Sequence, residues 1–171
     1  MEDLFAGVDV STQGQKIVII DLEKRSVIYS DSINYDIDLP KYNTLNGVLK
    51  DTDFGVSESN PNMWIDSLHL LFERLKTSSD IIQSIKAISI AGQQHGLVAI
   101  DKDGNLAKST SKLWNDFSTA EECEILTKEI GGSEQMITEV ANSQRTGYTA
   151  SKIFHMYRNE RELYDKTDHF L

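Results

Sequence analysis

Two short apolar runs near the start of the chain, separated by a polar turn, constrain the fold most strongly. The runs are Leu4–Val10 and Ile17–Ile20, and both are rich in β-branched residues. The segment between them begins with Ser-Thr-Gln-Gly, which are turn-forming residues. This pattern predicts a β-hairpin at the beginning of a sheet.

The turn also carries the residue types that bind a metal-chelated polyphosphate. Asp9 precedes it, Ser11 and Thr12 supply hydroxyls, and Lys16 supplies a positive charge. Backbone N–H groups of such a turn can surround a phosphate, and a carboxylate can hold a hydrated Mg²⁺. The alternative is a solvated turn with Asp9 on an exposed edge. The Walker pattern does not occur in the sequence, so a P-loop is excluded.

Composition excludes several other classes of function. The formal net charge is −10 and the basic residues form no block, which argues against binding to a nucleic-acid backbone. The one cysteine, Cys123, excludes an internal disulfide and a cysteine-based zinc site. The four histidines have no metal-ligand spacing. With no long apolar run and no signal-peptide pattern, we expect a cytoplasmic protein that does not enter a membrane.

The rest of the sequence alternates strand and helix signals. A third strand is expected at Val27–Tyr35, a helix begins at Asn60-Pro61, and Ile85–Ala91 is expected to be a strand buried on both faces. Asp36–Ser59 is a long excursion, either a functional or mobile loop or an ordered decoration. This order predicts an α/β fold, a mixed sheet flanked by helices.

Three helices are predicted in the last third of the chain. Ser118 and Glu121 have the spacing of a capping box for a helix that runs to Ile130. A shorter helix is expected at 133–140. Another is expected at 150–158, and its inward residues are predicted to be Ile153, Phe154 and Tyr157.

Three later segments offer groups suited to a polyol. Gly92–Gly96 follows the predicted strand, and within it Gln94 and His95 can donate to and accept from several hydroxyls. Trp114 adds an aromatic plane beside two polar residues, and Arg145 can reach a hydroxyl or a phosphate. The alternatives are a tight bend with His95 bonded to the main chain, and a surface role for Arg145.

Taken together, three segments resemble the FGGY family of carbohydrate kinases. They are Gly7–Gln13, Ile90–Gly96 and Leu113–Glu121, and they follow the family's order. The Gly-Gln-Gln-His-Gly string is similar to that of members that act on D-xylulose. The resemblance covers the whole chain. It implies a ribonuclease-H-like (actin/hexokinase-type) domain and ATP-dependent phosphorylation of D-xylulose to xylulose 5-phosphate.

The resemblance also implies roles for the matching residues, with ATP and Mg²⁺ as cofactors. Asp9 would help to position Mg²⁺, most simply through water. The residues implied to line the phosphates of ATP are Ser11, Thr12, Gln13 and Lys16. Those implied to bind the ketose are Gln94, His95, Trp114 and Arg145. A homodimer is left open.

One departure concerns extent. In the family, the catalytic base and the nucleotide-binding domain lie beyond the position of Leu171, so residues 1–171 correspond to the N-terminal portion of the sugar-binding domain. Asp101, Asp103 and Asp116 do not match the base, so we assign no catalytic residue and expect the chain alone to be inactive.

Three alternatives differ in function. The first is a related kinase for ribulose, glycerol or another polyol. The second is a non-catalytic sugar-binding relative. A ribonuclease-H-like nuclease would need clustered carboxylates for two metals and a basic groove, and the sequence offers neither.

Overall fold

The predicted hairpin forms the middle of a four-stranded mixed sheet in a computed structural model that describes residues 3–78 and 80–171. The strands are, in chain order, β1 (Leu4–Val10), β2 (Gly14–Asp21), β3 (Ser26–Asn34), β4 (Thr44–Leu45), β5 (Val48–Leu49), β6 (Glu58–Ser59), β7 (Ile85–Gly92), β8 (Ala99–Ile100), β9 (Ser111–Lys112) and β10 (His169–Phe170). The α-helices are α1 (Tyr35–Asp38), α2 (Pro61–Ser78), α3 (Ala120–Glu129), α4 (Ser133–Val140), α5 (Thr149–Asn159) and α6 (Arg161–Lys166). The expected α/β class is confirmed.

The chain divides into two units, the first comprising residues 1–50 and 60–93. Its sheet has the order β3-β2-β1-β7. The first three strands pair antiparallel as a meander, whereas β7 runs parallel to β1. A parallel pair requires a crossover connection, and the segment that contains α2 supplies it.

The core of this unit lies between the sheet and α2. Leu4, Ala6 and Val8 point into it from alternate positions of β1, and Leu71 of α2 is fully buried against them. As predicted, the helix begins at Pro61. The Asn60 side chain caps it, accepting a hydrogen bond of 2.9 Å from the Asn62 amide.

The expectation that β7 is buried on both faces is wrong. All its residues after Ile85 are exposed, and Ile88 and Ile90 retain 48% and 57% of their accessible surface. The cause is position, because β7 lies at the edge of the sheet and pairs only with β1 within the described residues.

The excursion at residues 36–59 is an ordered decoration. The third strand ends at Asn34, and Tyr35, fully buried, begins α1 instead. The Asp36 carboxylate then accepts hydrogen bonds from the Thr44 hydroxyl at 2.7 Å and the Gly47 amide at 3.1 Å. Partial burial works to raise the pKa of Asp36, but these hydrogen bonds outweigh it and lower the pKa. Asp36 therefore anchors the β4–β5 hairpin.

The second unit comprises residues 51–59 and 94–171 and is mainly helical. Two short strand pairs, β6–β9 and β8–β10, accompany α3 to α6. Its buried apolar residues are Leu97, Ala99, Leu113, Met136 and Met156. Among the described residues of either unit, no helix combines the length and apolar character that crossing a bilayer requires.

Two details of the helices differ from the predictions. The capping box does not form, because the Ser118 hydroxyl donates to Asp116 and the Thr119 hydroxyl donates to the Thr146 carbonyl. In α5 the buried residues are Ser151, Lys152 and Met156, rather than the apolar residues that were expected to face inward. The Ser118 hydroxyl thus has a local partner, whereas Thr119 and Lys152 have partners far away in the sequence, at Thr146 and His95.

The packing of α2 can be tested with a matched pair of truncations. Leu71→Ala should lower the free energy of unfolding by about 2–5 kcal/mol, because it empties a fully buried site. Ile65→Ala on the same helix, where Ile65 is 55% exposed, should change it by no more than about 0.5 kcal/mol. Urea denaturation followed by circular dichroism measures both, and equal losses would contradict this core.

Candidate functional site

The turn after β1 is held in place through its carbonyl groups. The Ser11 carbonyl accepts hydrogen bonds from the Tyr35 hydroxyl at 3.2 Å and from the Gln93 side-chain amide at 3.4 Å. The Gln13 carbonyl accepts one from the Tyr35 backbone amide at 3.1 Å. One buried tyrosine thus holds both sides of the turn.

Gly47 of the β4–β5 hairpin packs against the remaining carbonyl of the turn. A Cβ atom at Gly47 would lie 1.8 Å from the Thr12 oxygen, so no other residue fits without movement. The C=O and N–H of a trans peptide point in opposite directions. The N–H groups of Thr12 and Gln13 therefore point away from the partners that hold the carbonyls of Ser11 and Thr12, as in an anion-binding turn.

Asp9 and Lys16 are cross-strand partners beside this turn. Both are exposed, because their neighbours Val8 and Ile17 point into the core and side chains alternate along a strand. The Asp9 carboxylate accepts a hydrogen bond of 2.6 Å from the Ser11 hydroxyl. A shallow cavity of about 270 Å³ is lined by Asp9, Ser11, Gln13, Gly14, Gln15, Lys16, Ser32, Ile33 and Asn34.

These residues fit a Mg²⁺ ion that is held through water and phosphate rather than by a protein cage. In residues 3–78 and 80–171, no three histidine, cysteine, aspartate or glutamate side chains are grouped as metal ligands. Asp9 offers one exposed carboxylate. Mg²⁺ commonly keeps several waters and takes one or two carboxylates together with substrate phosphates, which matches this donor set.

In the second unit, the four residues predicted to bind a sugar line one cavity of about 470 Å³. Its lining residues are Gln94, His95, Trp114, Phe117, Arg145, Thr146, Gly147 and Tyr148. The volume lies in the range of small-molecule sites. Three separate segments of the chain supply the lining. The fold therefore brings together residues that the sequence shows only as separate motifs.

The cavity combines aromatic faces with polar side chains. Trp114 and Phe117 are 49% and 66% exposed, so their rings are open to a ligand. The His95 ring packs against Tyr148, with centroids 4.6 Å apart, and the Arg145 guanidinium lies 6.0 Å from the centre of the same tyrosine ring. A few oriented polar groups in a largely apolar lining are typical of small-molecule sites.

Asp116, which the sequence places beside Trp114 as a further polar group, is not available to a ligand. It is fully buried and accepts hydrogen bonds from the Ser57 amide at 2.8 Å and the Ser118 hydroxyl at 2.7 Å. It also pairs with Lys112 at 3.4 Å. Asp116 therefore organises the loop that carries Trp114.

Sequence reasoning missed the role of Gln93. Its side-chain oxygen accepts a hydrogen bond of 3.1 Å from the Thr12 hydroxyl, and its nitrogen donates to the Ser11 carbonyl. Gln93 thus links the end of β7 to the turn after β1. The available signal was its place in the glycine-bracketed polar segment, next to residues that were assigned to the sugar.

Another cavity, of about 720 Å³, lies beside α3 and α4 and contains none of the predicted residues. Its lining includes Cys123, Glu124 and Lys128. Charges of both signs and a wide mouth distinguish it from the aromatic cavity around His95.

The fold agrees with one class of protein. Residues 4–171 match the N-terminal domain of the FGGY family of carbohydrate kinases, and the chain belongs to this family. The resemblance that the motifs indicate is therefore confirmed.

Particular relatives narrow the comparison. The xylulose kinase of Schizosaccharomyces pombe is 35% identical over 96% of this chain and 32% of its own length. That of Haemophilus influenzae is 33% identical over 88% of this chain and 29% of its own length. The chain thus spans about a third of the length of these relatives.

Solved structures show the same fold at lower identity. A xyloylose kinase from Brucella ovis superposes with a TM-score of 0.82 at 24% identity, over 98% of this chain and 32% of that one. A glycerol kinase from Plasmodium falciparum, solved with ADP, gives 0.71 at 20% identity, over 96% of this chain and 30% of that one. At these identities the likeness establishes the fold alone.

The contact between Gly47 and the turn predicts an unequal effect of two glycine substitutions. Gly47 and Gly104 have φ values of +77° and +81°, but only Gly47 has a neighbour where a Cβ would lie. Both changes to alanine should cost about 1 kcal/mol of backbone strain. Gly47→Ala should cost about 1–3 kcal/mol more, because the turn must move.

Urea denaturation measures the difference, and amide NMR shows where the backbone changes. Gly47→Ala should shift the resonances of residues 11–14, whereas Gly104→Ala should leave them in place. Equal stabilities with unshifted turn resonances would refute the contact.

Proposed function

We propose that this chain is part of an ATP-dependent kinase that phosphorylates D-xylulose to xylulose 5-phosphate. The observation that carries the proposal is the single cavity lined by Gln94, His95, Trp114 and Arg145. Family membership supports phosphoryl transfer to a carbohydrate, and the relatives at 35% and 33% identity are xylulose kinases.

We further propose that residues 1–171 form the N-terminal portion of the sugar-binding domain, and that further chain supplies the rest of this domain, the catalytic base and the nucleotide-binding domain. The share of the relatives that the chain spans, about a third, supports this division. The chain by itself should therefore bind the sugar but not phosphorylate it. The cytoplasmic location and the homodimer stay predictions.

The cavity around His95 would bind and orient the ketose. Gln94 offers both a donor and an acceptor, and His95 offers ring nitrogens, so together they can bond several hydroxyls at once. Trp114 and Arg145 would form the wall. Phosphoryl transfer needs little covalent chemistry from the protein, so holding the attacking hydroxyl in line is the main contribution of these residues.

The turn after β1 would hold the phosphates of ATP. The amides of Thr12 and Gln13 and the ammonium of Lys16 would face phosphate oxygens, and the Asp9 carboxylate would accept hydrogen bonds from water around Mg²⁺. The bound ion would neutralise charge on the transferred group. Tyr35 and Gln93 would keep the turn in this geometry through its carbonyls.

Two alternatives are tested by the same experiments. A kinase for ribulose, glycerol or a related polyol would keep the turn and prefer another substrate. A sugar-binding relative without catalysis would keep the cavity and transfer no phosphate.

Substrate choice is tested with the full-length protein, ATP, Mg²⁺ and a panel containing D-xylulose, D-ribulose, glycerol and other polyols. We expect the highest kcat/KM for D-xylulose. His95→Asn should raise the KM for that sugar about tenfold, because a hydrogen bond between the imidazole and the sugar is lost. Asparagine tolerates the left-handed backbone at this position, so the substitution should not disturb the fold. A higher kcat/KM for another sugar would indicate a different kinase of the same family. No phosphoryl transfer to any compound of the panel would favour a sugar-binding relative without catalysis.

The role of Asp9 predicts a kinetic effect on transfer rather than on sugar binding. Asp9→Asn should lower kcat by at least about tenfold while the KM for D-xylulose changes less, because the carboxylate acts on the metal and phosphates. Asp103→Asn, which changes an exposed aspartate in a turn of the second unit, is the matched control and should change neither constant. Equal losses in both constants for Asp9→Asn would contradict its assigned place.

A further inference from the structure

A buried lysine ties together the three segments that line the cavity around His95. Lys152 lies in α5 with no accessible surface. Its ammonium donates hydrogen bonds to the backbone carbonyls of His95 at 2.5 Å, Leu113 at 2.7 Å and Gly147 at 2.8 Å. An ammonium has three donors, so all of them are used by main chain.

Each of these carbonyls belongs to a lining segment. His95 lines the cavity itself, Leu113 precedes Trp114, and Gly147 lies between the lining residues Thr146 and Tyr148. The segments also touch directly, because a Cβ at Gly147 would lie 2.4 Å from the Trp114 carbonyl oxygen. One nitrogen atom thus contacts all three segments.

The arrangement is costly, which argues against an incidental contact. Burying an ammonium away from water disfavours its charge, and hydrogen bonds to carbonyl oxygens offset part of this cost. His95 has a φ of +58°, a left-handed conformation that is unfavourable for a residue other than glycine. The bond from Lys152 to its carbonyl holds His95 in that conformation.

We propose that Lys152 is the positioning residue of the sugar cavity: its ammonium sets the mutual placement of His95, Trp114 and the segment at 145–148. This inference rests on the proposed function, because it assigns the cavity to the sugar. Lys152 itself does not line the cavity; it acts through the three carbonyls that it binds.

The charge on Lys152 is sensitive to pH in an accessible range. Burial lowers its pKa to about 8; the Asp116 carboxylate opposes this shift and Lys112 adds to it. Lys108, His155 and Glu160 face the same interior space. Lys108 pairs with Glu160 at 2.7 Å.

The direction of the pH effect on the KM for the sugar follows from the number of donors on the Lys152 nitrogen. Below about pH 8 the ammonium is charged and can donate to all three carbonyls. Above it, the neutral amine has two donors and a lone pair, so at least one carbonyl loses its partner. The KM for D-xylulose should therefore rise about tenfold between pH 7 and 9. The KM for ATP should not rise in parallel with it.

The first test compares Lys152→Met with Lys166→Met, an exposed lysine of α6, in the full-length protein. Lys152→Met should raise the KM for D-xylulose at least about tenfold, leave the KM for ATP nearly unchanged, and abolish the rise above pH 8. The control should behave as the unaltered protein does. An unchanged KM for the sugar, or equal rises in both KM values, would overturn the proposal.

Chemical rescue separates charge from packing. In Lys152→Ala, added n-propylammonium should restore the KM, whereas 1-propanol of similar size should not. Rescue by both would show that the side chain only fills space, which overturns the proposal. If neither variant folds, the pH profile of the unaltered protein decides, and a KM that stays flat from pH 7 to 9 contradicts the role.

A readout without catalysis keeps this inference distinct from the proposed function. In the 171-residue chain, the carbonyl ¹³C resonances of His95, Leu113 and Gly147 should titrate together near pH 8, and Lys152→Met should remove that titration. Separate midpoints, or none, would refute the shared ammonium. Common titration together with no phosphorylation of any sugar would instead refute the proposed function.

Discussion

The alternation of side chains along β1 and β2 controls where the chemistry of the first unit lies. Val8 and Ile17 must point toward α2, because their burial helps to form the only core of the sheet that the described residues contain. Asp9 and Lys16 then have to point the other way, since successive side chains of a strand face opposite sides. Slipping β1 by one residue would bury the carboxylate and expose the core.

In both candidate sites, side chains donate hydrogen bonds to the backbone carbonyls of the segments that form the site. At the turn, Tyr35 and Gln93 bind the carbonyl of Ser11, so the amide of Thr12 in the same peptide points away from them. Around the cavity that His95 and Trp114 line, Lys152 donates hydrogen bonds to three carbonyls, one in each lining segment. In each case a fully buried side chain, Tyr35 or Lys152, donates hydrogen bonds to backbone carbonyls.

Local patterns predicted much of this structure. The hairpin, the start of α2 and four of the residues that line the cavity around His95 follow from turn, cap and motif signals that are contained within a few residues. The exposure of β7 could not be predicted, because an apolar run does not show whether a second strand lies beside it. The failed capping box and the burial of Lys152 could not be predicted either, because Thr119 binds Thr146, 27 residues away, and Lys152 binds His95, 57 residues away. A lysine on an amphipathic helix normally indicates the solvent face. The burial of Lys152 is therefore visible only in the folded structure, where the segments that bind it come together.

The central claim is that one turn holds metal-chelated phosphates while the Gln94–His95 segment holds sugar hydroxyls. It is tested most directly by a crystal structure of the full-length protein with D-xylulose, Mg²⁺ and ADP. The account predicts sugar hydroxyls within hydrogen-bond distance of Gln94 and His95, and nucleotide phosphate facing the amides of Thr12 and Gln13. A sugar bound away from the cavity that His95 and Trp114 line, or phosphates bound away from the turn, would contradict it.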